Sequence, residues 1–305
     1  MLFIRHHLAN KKNKKELEQM GSCPVIFSRQ VSSLTVNFLI DLFPAEPRFM
    51  GEAGVSYLVS ADDRNVLFDL GYNPKERFLT PLRQNLEALG LDEAQLDGIF
   101  ISHNHLDHVG GMKHQAARSP DLEQLPPEML RGAAIWTPPG VHHHSHECTE
   151  VPKPVELLPG LASTGAMPAH LYFLGLIREQ GLIISMKHKG VALIMGCGHP
   201  GAVEMVRHVK RITRQPVYAV VGGLHLIAGK GRTRTQKYLG ANQPPWRSPD
   251  LAQVRRSIEE LRELGVERLA PSAHDSCDAA LATMREVFGA GYTEVRAGGS
   301  VTLSP

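Results

Sequence analysis

A chain of 305 residues, 42% hydrophobic and 21% charged, is long enough to bury a large core and has the balance of a soluble globular protein. Its net charge of +2 excludes strong general attraction to nucleic acid or an anionic membrane, so any basic contact must be local. Four scattered cysteines, Cys23, Cys148, Cys197 and Cys277, form no C-x-x-C pair; no apolar run spans a bilayer, and MLFIRHHLANKKNKKELEQ has no secretory pattern. The cytoplasm is therefore the expected compartment.

Residues 1–33, polar and lysine-rich, read as a flexible N-terminal extension with at most a short helix near Lys14 to Met20. Residues 34–305 are expected to form one domain. Leu34 to Leu42 reads as the first core strand, broken by Pro44 and Pro47, and Val55 to Val59 and Val66 to Asp69 as two more. Asp69, beside Gly71, is either an ordinary turn residue or a carboxylate that orients a metal-binding imidazole; the abundance of histidine favours the second. Pro74 and the apolar spacing of Phe78, Leu79, Leu82, Leu86 and Leu89 predict a helix that ends at Gly90.

The apolar run Leu96 to Ile101 then leads into ISHNHLDHVGG. Here His103, His105, Asp107 and His108 fall within six residues at a strand end. Extended backbone places residues two apart on one face, so His103 and His105 suit one metal position, and Asp107 with His108 an adjacent one. Imidazole and carboxylate donors suit zinc, iron or manganese, and the lack of a matched thiolate set argues against a purely structural zinc site.

From 113 to 158 the pattern weakens among prolines and reads as a surface excursion, including the histidine-rich VHHHSHEC, taken as lid residues. Strands are expected at Gly181 to His188 and Val191 to Met195, the latter running into GCGHPG with Cys197 and His199. A helix follows from Ala202. Val217 to Val221 ends at Gly222-Gly223 before His225, and Arg268 to Ala270 leads to His274. Helices are expected at Leu251 to Leu264 and Asp278 to Phe288, with a final strand Val295 to Leu303. The basic segment 230–237, with Lys230, Arg232 and Arg234, is either a solvated loop or a clamp for phosphate or carboxylate.

The FDLG strand end, SHNHLDHVGG and the later junction histidines resemble the metallo-β-lactamase fold superfamily. Within it, GVSYLV, STG, GCGHPG, VYAVVGGLHL and PSAHDSC look most like the group named for 7,8-dihydropterin-6-methyl-4-(β-D-ribofuranosyl)aminobenzene-5'-phosphate synthase. The resemblance implies an α/β sandwich in αββα layers, two mixed β-sheets flanked by helices, with two divalent metals at one sheet edge. It implies that His103, His105 and His199 hold one metal and Asp107, His108 and His274 the other. Cys197 stands near the place where many members carry a bridging aspartate, which leaves His225 as a candidate catalytic residue or replacement ligand.

The expected chemistry is hydrolysis of an ester, phosphoester or related bond by metal-activated water, with Asp107 orienting the water or moving its proton. The expected partner is a small anionic substrate rather than nucleic acid or membrane, and a homo-oligomer is left open. Two other readings stand beside it: a transferase like the named synthase, and a non-catalytic metal or redox sensor responding through Cys197.

Overall fold

The computed structural model of the chain describes residues 2–229, 231–232 and 245–304. Along the chain it runs α1 (Leu2–Met20), β1 (Leu34–Ile40), β2 (Ser56–Ala61), β3 (Arg64–Phe68), α2 (Pro81–Leu89), β4 (Gly98–Phe100), α3 (Met112–Ala117), α4 (Pro127–Leu130), β5 (Ala134–Thr137), β6 (Thr149–Glu150), β7 (Val155–Leu158) and β8 (Leu161–Ser163). It continues with β9 (Met167–Leu171), β10 (Gly175–Glu179), β11 (Leu182–Met186), β12 (Gly190–Met195), α5 (Ala202–Thr213), β13 (Val217–Gly222), α6 (Leu251–Glu263), β14 (Arg268–Pro271), α7 (Asp278–Phe288) and β15 (Ser300–Leu303).

A seven-stranded sheet, β15-β1-β2-β3-β4-β5-β6, faces a six-stranded one, β14-β13-β12-β11-β8-β7, and both mix parallel with antiparallel pairs. The alternation of strand side chains assigns each sheet two buried faces. Phe38, Tyr57, Phe68 and Phe100 of the first sheet meet Leu182, Ile184, Ala192 and Ile194 of the second between the layers. The intervening residues point outward. Leu58, Leu67 and Ile99 pack with Leu82 and Leu86 of α2, while Ile183, Leu193 and Val220 pack with α5, α6 and α7. The result is the αββα sandwich expected from the sequence.

What positions the site is strand direction. β3, β4 and β5 are mutually parallel, as are β12, β13 and β14. The loops after β3 and β4 therefore leave one sheet at a common edge, and those after β12, β13 and β14 leave the other in the same manner.

Three expectations are corrected. Residues 1–33 are not a flexible extension: α1 buries Leu17 and Met20 in the outer core, Arg178 pairs with Glu16 at 2.5 Å, and the Val25 N–H donates to the Ile212 carbonyl. With so few apolar positions, α1 gives little periodic signal and is held by tertiary contacts. The stretch 113–158 is not a mere surface excursion, because it supplies α3, α4 and three strands, and Trp136 of β5 reaches the inter-sheet core over Gly98. Four residues, AIWT before two prolines, are too few to show alternation. Helix α2 begins at Pro81, not Pro74, because Asn73 closes a turn through both N–H and carbonyl of Arg77 and Thr80 caps the helix. Among the described residues no helix is long and apolar enough to cross a membrane.

Candidate metal centre

Beyond β4 the backbone stays extended to His103, then turns with His108 and Val109 N–H groups both donating to the His105 carbonyl. The GCGH turn after β12 approaches from the second sheet. Gly196 permits this contact: a Cβ there would lie 2.3 Å from Ser102 Oγ and 3.0 Å from His103 Nδ1.

Two donor clusters form where the sheets meet. In the first, His103 Nε2 and His199 Nε2 each lie 3.1 Å from His105 Nδ1. In the second, Cys197 Sγ lies 3.1 Å from His108 Nε2 and 3.3 Å from His274 Nε2, with Asp107 Oδ2 3.7 Å from His108 Nε2. The rings of His103 and His108 are 4.1 Å apart between centroids, so the clusters adjoin. Cys197 was expected beside the ligands; its sulfur instead lies among the second set of donors.

Buried carboxylates decide which nitrogen of the His103, His108 and His274 rings faces inward. Asp69 accepts from the Ser102 N–H at 2.7 Å, the Ser102 hydroxyl at 2.6 Å and His108 Nδ1 at 2.7 Å. Since the one hydroxyl proton of Ser102 goes to Asp69, the oxygen must accept from His103 Nδ1–H, 2.9 Å away, leaving Nε2 bare. A second relay repeats the logic: His274 Nδ1–H donates to Ser272 Oγ at 2.6 Å, and Ser272 donates to Asp41. Asp41 also accepts from Tyr57 and the Ala273 N–H, and burial raises its pKa to about 6.

Glu179, at the end of β10, serves the third strand end. Its carboxylate accepts from the N–H groups of Cys197 at 3.0 Å, Gly198 at 2.8 Å and His199 at 2.7 Å, fixing a turn that feeds both clusters. Asp275 accepts from the His225 N–H at 3.0 Å and so holds that residue at φ 48°. The His225 ring sits 5.3 Å from that of His199, with both nitrogens buried and without a hydrogen-bond partner among the described residues. It faces a cavity of about 220 Å³ that also reaches Gly198, Ala202 and Pro249.

Burial holds His103 and His199 far below the usual histidine pKa, His105 and His225 at about 4 and His274 at about 3. At His108 burial also opposes charge, yet the carboxylates of Asp107 and Asp69 outweigh it and raise the pKa to about 9. Burial pushes the Cys197 thiol well up, with nearby carboxylates adding to the effect. Neutral rings that converge on one point at 3.1 Å fit a cation: two ligands about 2.0 Å from a tetrahedral zinc stand about 3.3 Å apart.

Of the expected anion clamp, Arg232 donates to the carbonyls of Ala273 and Ser276 and pairs with Asp278 at 2.6 Å. It braces the His274 turn, in place of the clamp role expected for it. Lys230 and Arg234 lie outside the described residues.

The layered fold is the metallo-β-lactamase fold, and the model of the metallo-β-lactamase superfamily matches residues 50–121. The chain is similar to the 7,8-dihydropterin-6-methyl-4-(beta-D-ribofuranosyl)-aminobenzene-5'-phosphate synthase of Methanocaldococcus jannaschii. It is 25% identical over 261 residues, covering 72% of this chain and 80% of that one. Among solved structures, Tm1679, a metal-dependent hydrolase of the β-lactamase superfamily, superposes with a TM-score of 0.65 at 20% identity, covering 89% of this chain and all of that one. A diphosphatase of the PhnP family superposes at 0.51 with 14% identity, covering 90% of this chain and 98% of that one.

Proposed function

We infer that the protein is a metal-dependent hydrolase acting on an ester, phosphoester or related bond of a small anionic molecule. The observation that carries this reading is the pair of adjoining donor clusters, with the rings of His103, His108 and His274 fixed by buried carboxylates. His103, His105 and His199 would hold one divalent ion and Asp107, His108, Cys197 and His274 the other. The sulfur donor favours zinc over manganese. A bound divalent metal supplies Lewis acidity, lowering the pKa of water from ~15.7 toward ~7.

The chain's own residues supply the rest. Burial works against the charge of Asp107, but the neighbouring histidines hold its pKa below the usual carboxylate value, so it stays ready to orient a nucleophile and accept its proton. His225 faces the adjoining cavity and offers a ring nitrogen to a substrate oxygen there. Carboxylates beneath His103, His108 and His274 keep the rings from rotating, which limits reorganisation during turnover.

Elemental analysis of untagged protein and a His103→Ala variant tests the reading. Two tightly held equivalents, fewer in the variant, together with turnover of phosphoesters or lactones, support it; metal in neither protein overturns it. The similarity to the M. jannaschii synthase favours a second reading, condensation of a dihydropterin precursor with an aminobenzene ribotide. Product formation from that pair without hydrolysis of simple esters would select it. The sensor reading needs an exposed, low-pKa thiol, whereas Cys197 is buried with its pKa raised.

A further inference from the structure

A third convergence of donors lies outside the chemistry above. Glu123, from the turn Leu122–Gln124, and His143 and His144, from the loop after β5, each bring one donor atom within 4.8 Å of the others. Glu123 Oε1 is 3.5 Å from His143 Nε2 and 3.7 Å from His144 Nε2. These separations are long for hydrogen bonds but near the ~3.3 Å between two ligands on one tetrahedral zinc.

A second observation distinguishes the cluster from a run of surface histidines. The His143 side chain is only 1% exposed, and its Nε2 makes no hydrogen bond among the described residues. Leaving a buried imidazole nitrogen unsatisfied is unfavourable. Its Nδ1 lies 3.3 Å from both the Ser145 N–H, which donates to it in the ion-free ring, and the Ser145 hydroxyl, so a cation at Nε2 selects the other tautomer, with Nδ1–H donating to that hydroxyl and the Nε2 lone pair facing Glu123. The loop itself is anchored, with the His142 N–H donating to the Arg118 carbonyl and the Gly140 N–H to Glu150. The His146 ring, 5.1 Å from that of His143, is near enough to supply a further donor.

We propose that Glu123, His143 and His144 form a third divalent-metal site, of the zinc class, separate from the two clusters between the sheets. Two imidazoles and one carboxylate are a zinc donor set, with a coordination position left for water or His146. Because β5 is parallel to β4, its loop leaves the sheet at the same edge as the His103 turn. Metal here clips that loop to the turn preceding α4, fixing the wall beside the main centre.

Untagged full-length protein, with its tight metals in place, is titrated with zinc and its content measured after equilibrium dialysis. The comparison is a Glu123→Gln/His144→Ala double variant, whose changed side chains are 58% and 72% exposed and so leave the fold intact. Wild type is expected to take up one further equivalent that the double variant lacks, with tight metal content and turnover equal in both. Added zinc should also raise the melting temperature of wild type alone. Equal zinc uptake by the two proteins overturns the proposal, as does a His143→Ala protein that retains the extra equivalent. The readout is a difference between proteins, so it stands whether or not the main centre proves hydrolytic.

Discussion

Replacing Glu179 by Gln should separate folding of the sandwich from assembly of its metal centre. One carboxylate oxygen takes the Cys197 and Gly198 N–H groups and the other takes that of His199. The amide keeps one acceptor and puts an NH₂ where the second stood, so one buried N–H loses its partner and meets a donor. A hydrogen bond to a charged group contributes about 1.5–3 kcal/mol, and the stranded donor brings the loss to about 2–4 kcal/mol. Unfolding entropy scaled to this chain length converts that into a fall of about 3–6 °C in melting temperature. The larger effect falls on metal, because Cys197 belongs to one cluster and His199 to the other: affinity at both should drop about 10- to 100-fold. Calorimetric zinc titration of the apoprotein and thermal denaturation with and without chelator read the two effects separately. A variant that binds both metals at wild-type affinity would refute the role given to Glu179.

Ser272→Ala cuts the link between His274 and Asp41 and should weaken the second cluster alone by about 10-fold or more, seen as loss of one of two tight zinc equivalents. Gly196→Ala drives a methyl into Ser102 and should disturb the first cluster through His103, a prediction that fails if metal content is unchanged. Without metal the chain should be most stable near pH 6.5. His208 and His225, at about 4 when folded, let the unfolded chain take protons first as pH falls below their usual 6.5; His208 alone loses about 3 kcal/mol by pH 4. His108, at about 9, contributes stability below pH 6.5 that is lost as pH rises toward 9, while the raised carboxyls of Asp41, Asp69, Asp121, Glu179 and Asp275 partly oppose the histidines as pH falls. Urea midpoints across pH with chelator present check this; a monotonic trend contradicts it.

The turn carrying His103, His105, Asp107 and His108 was legible because its donors are adjacent in sequence and follow an apolar strand. The core strands were legible because strands buried on both faces read as continuous apolar runs, whereas the αββα layering came from the resemblance to the metallo-β-lactamase fold. Glu179 and Asp41 were not: a carboxylate beside a strand looks like solvent-facing polarity until the N–H groups of a distant turn are seen to converge on it. Strands β9 and β10 were missed for a related reason, since GLIRE mixes one buried acid with half-exposed apolar residues and shows no clean alternation. Arg232 was legible as a cation, but its use depends on the carbonyls of a turn about forty residues away.

The two sheets divide the donors between them: the first supplies His103, His105, Asp107 and His108, and the second Cys197, His199 and His274. Neither cluster is complete on one sheet. During synthesis, the first cluster lacks its third nitrogen until His199 has left the ribosome, and the second lacks His274 until nearly the whole chain has emerged. Metal capture at these clusters would thus be a late event that requires the halves to have docked, and a nascent chain stalled before β14 would carry a half-built chelate open to the wrong ion.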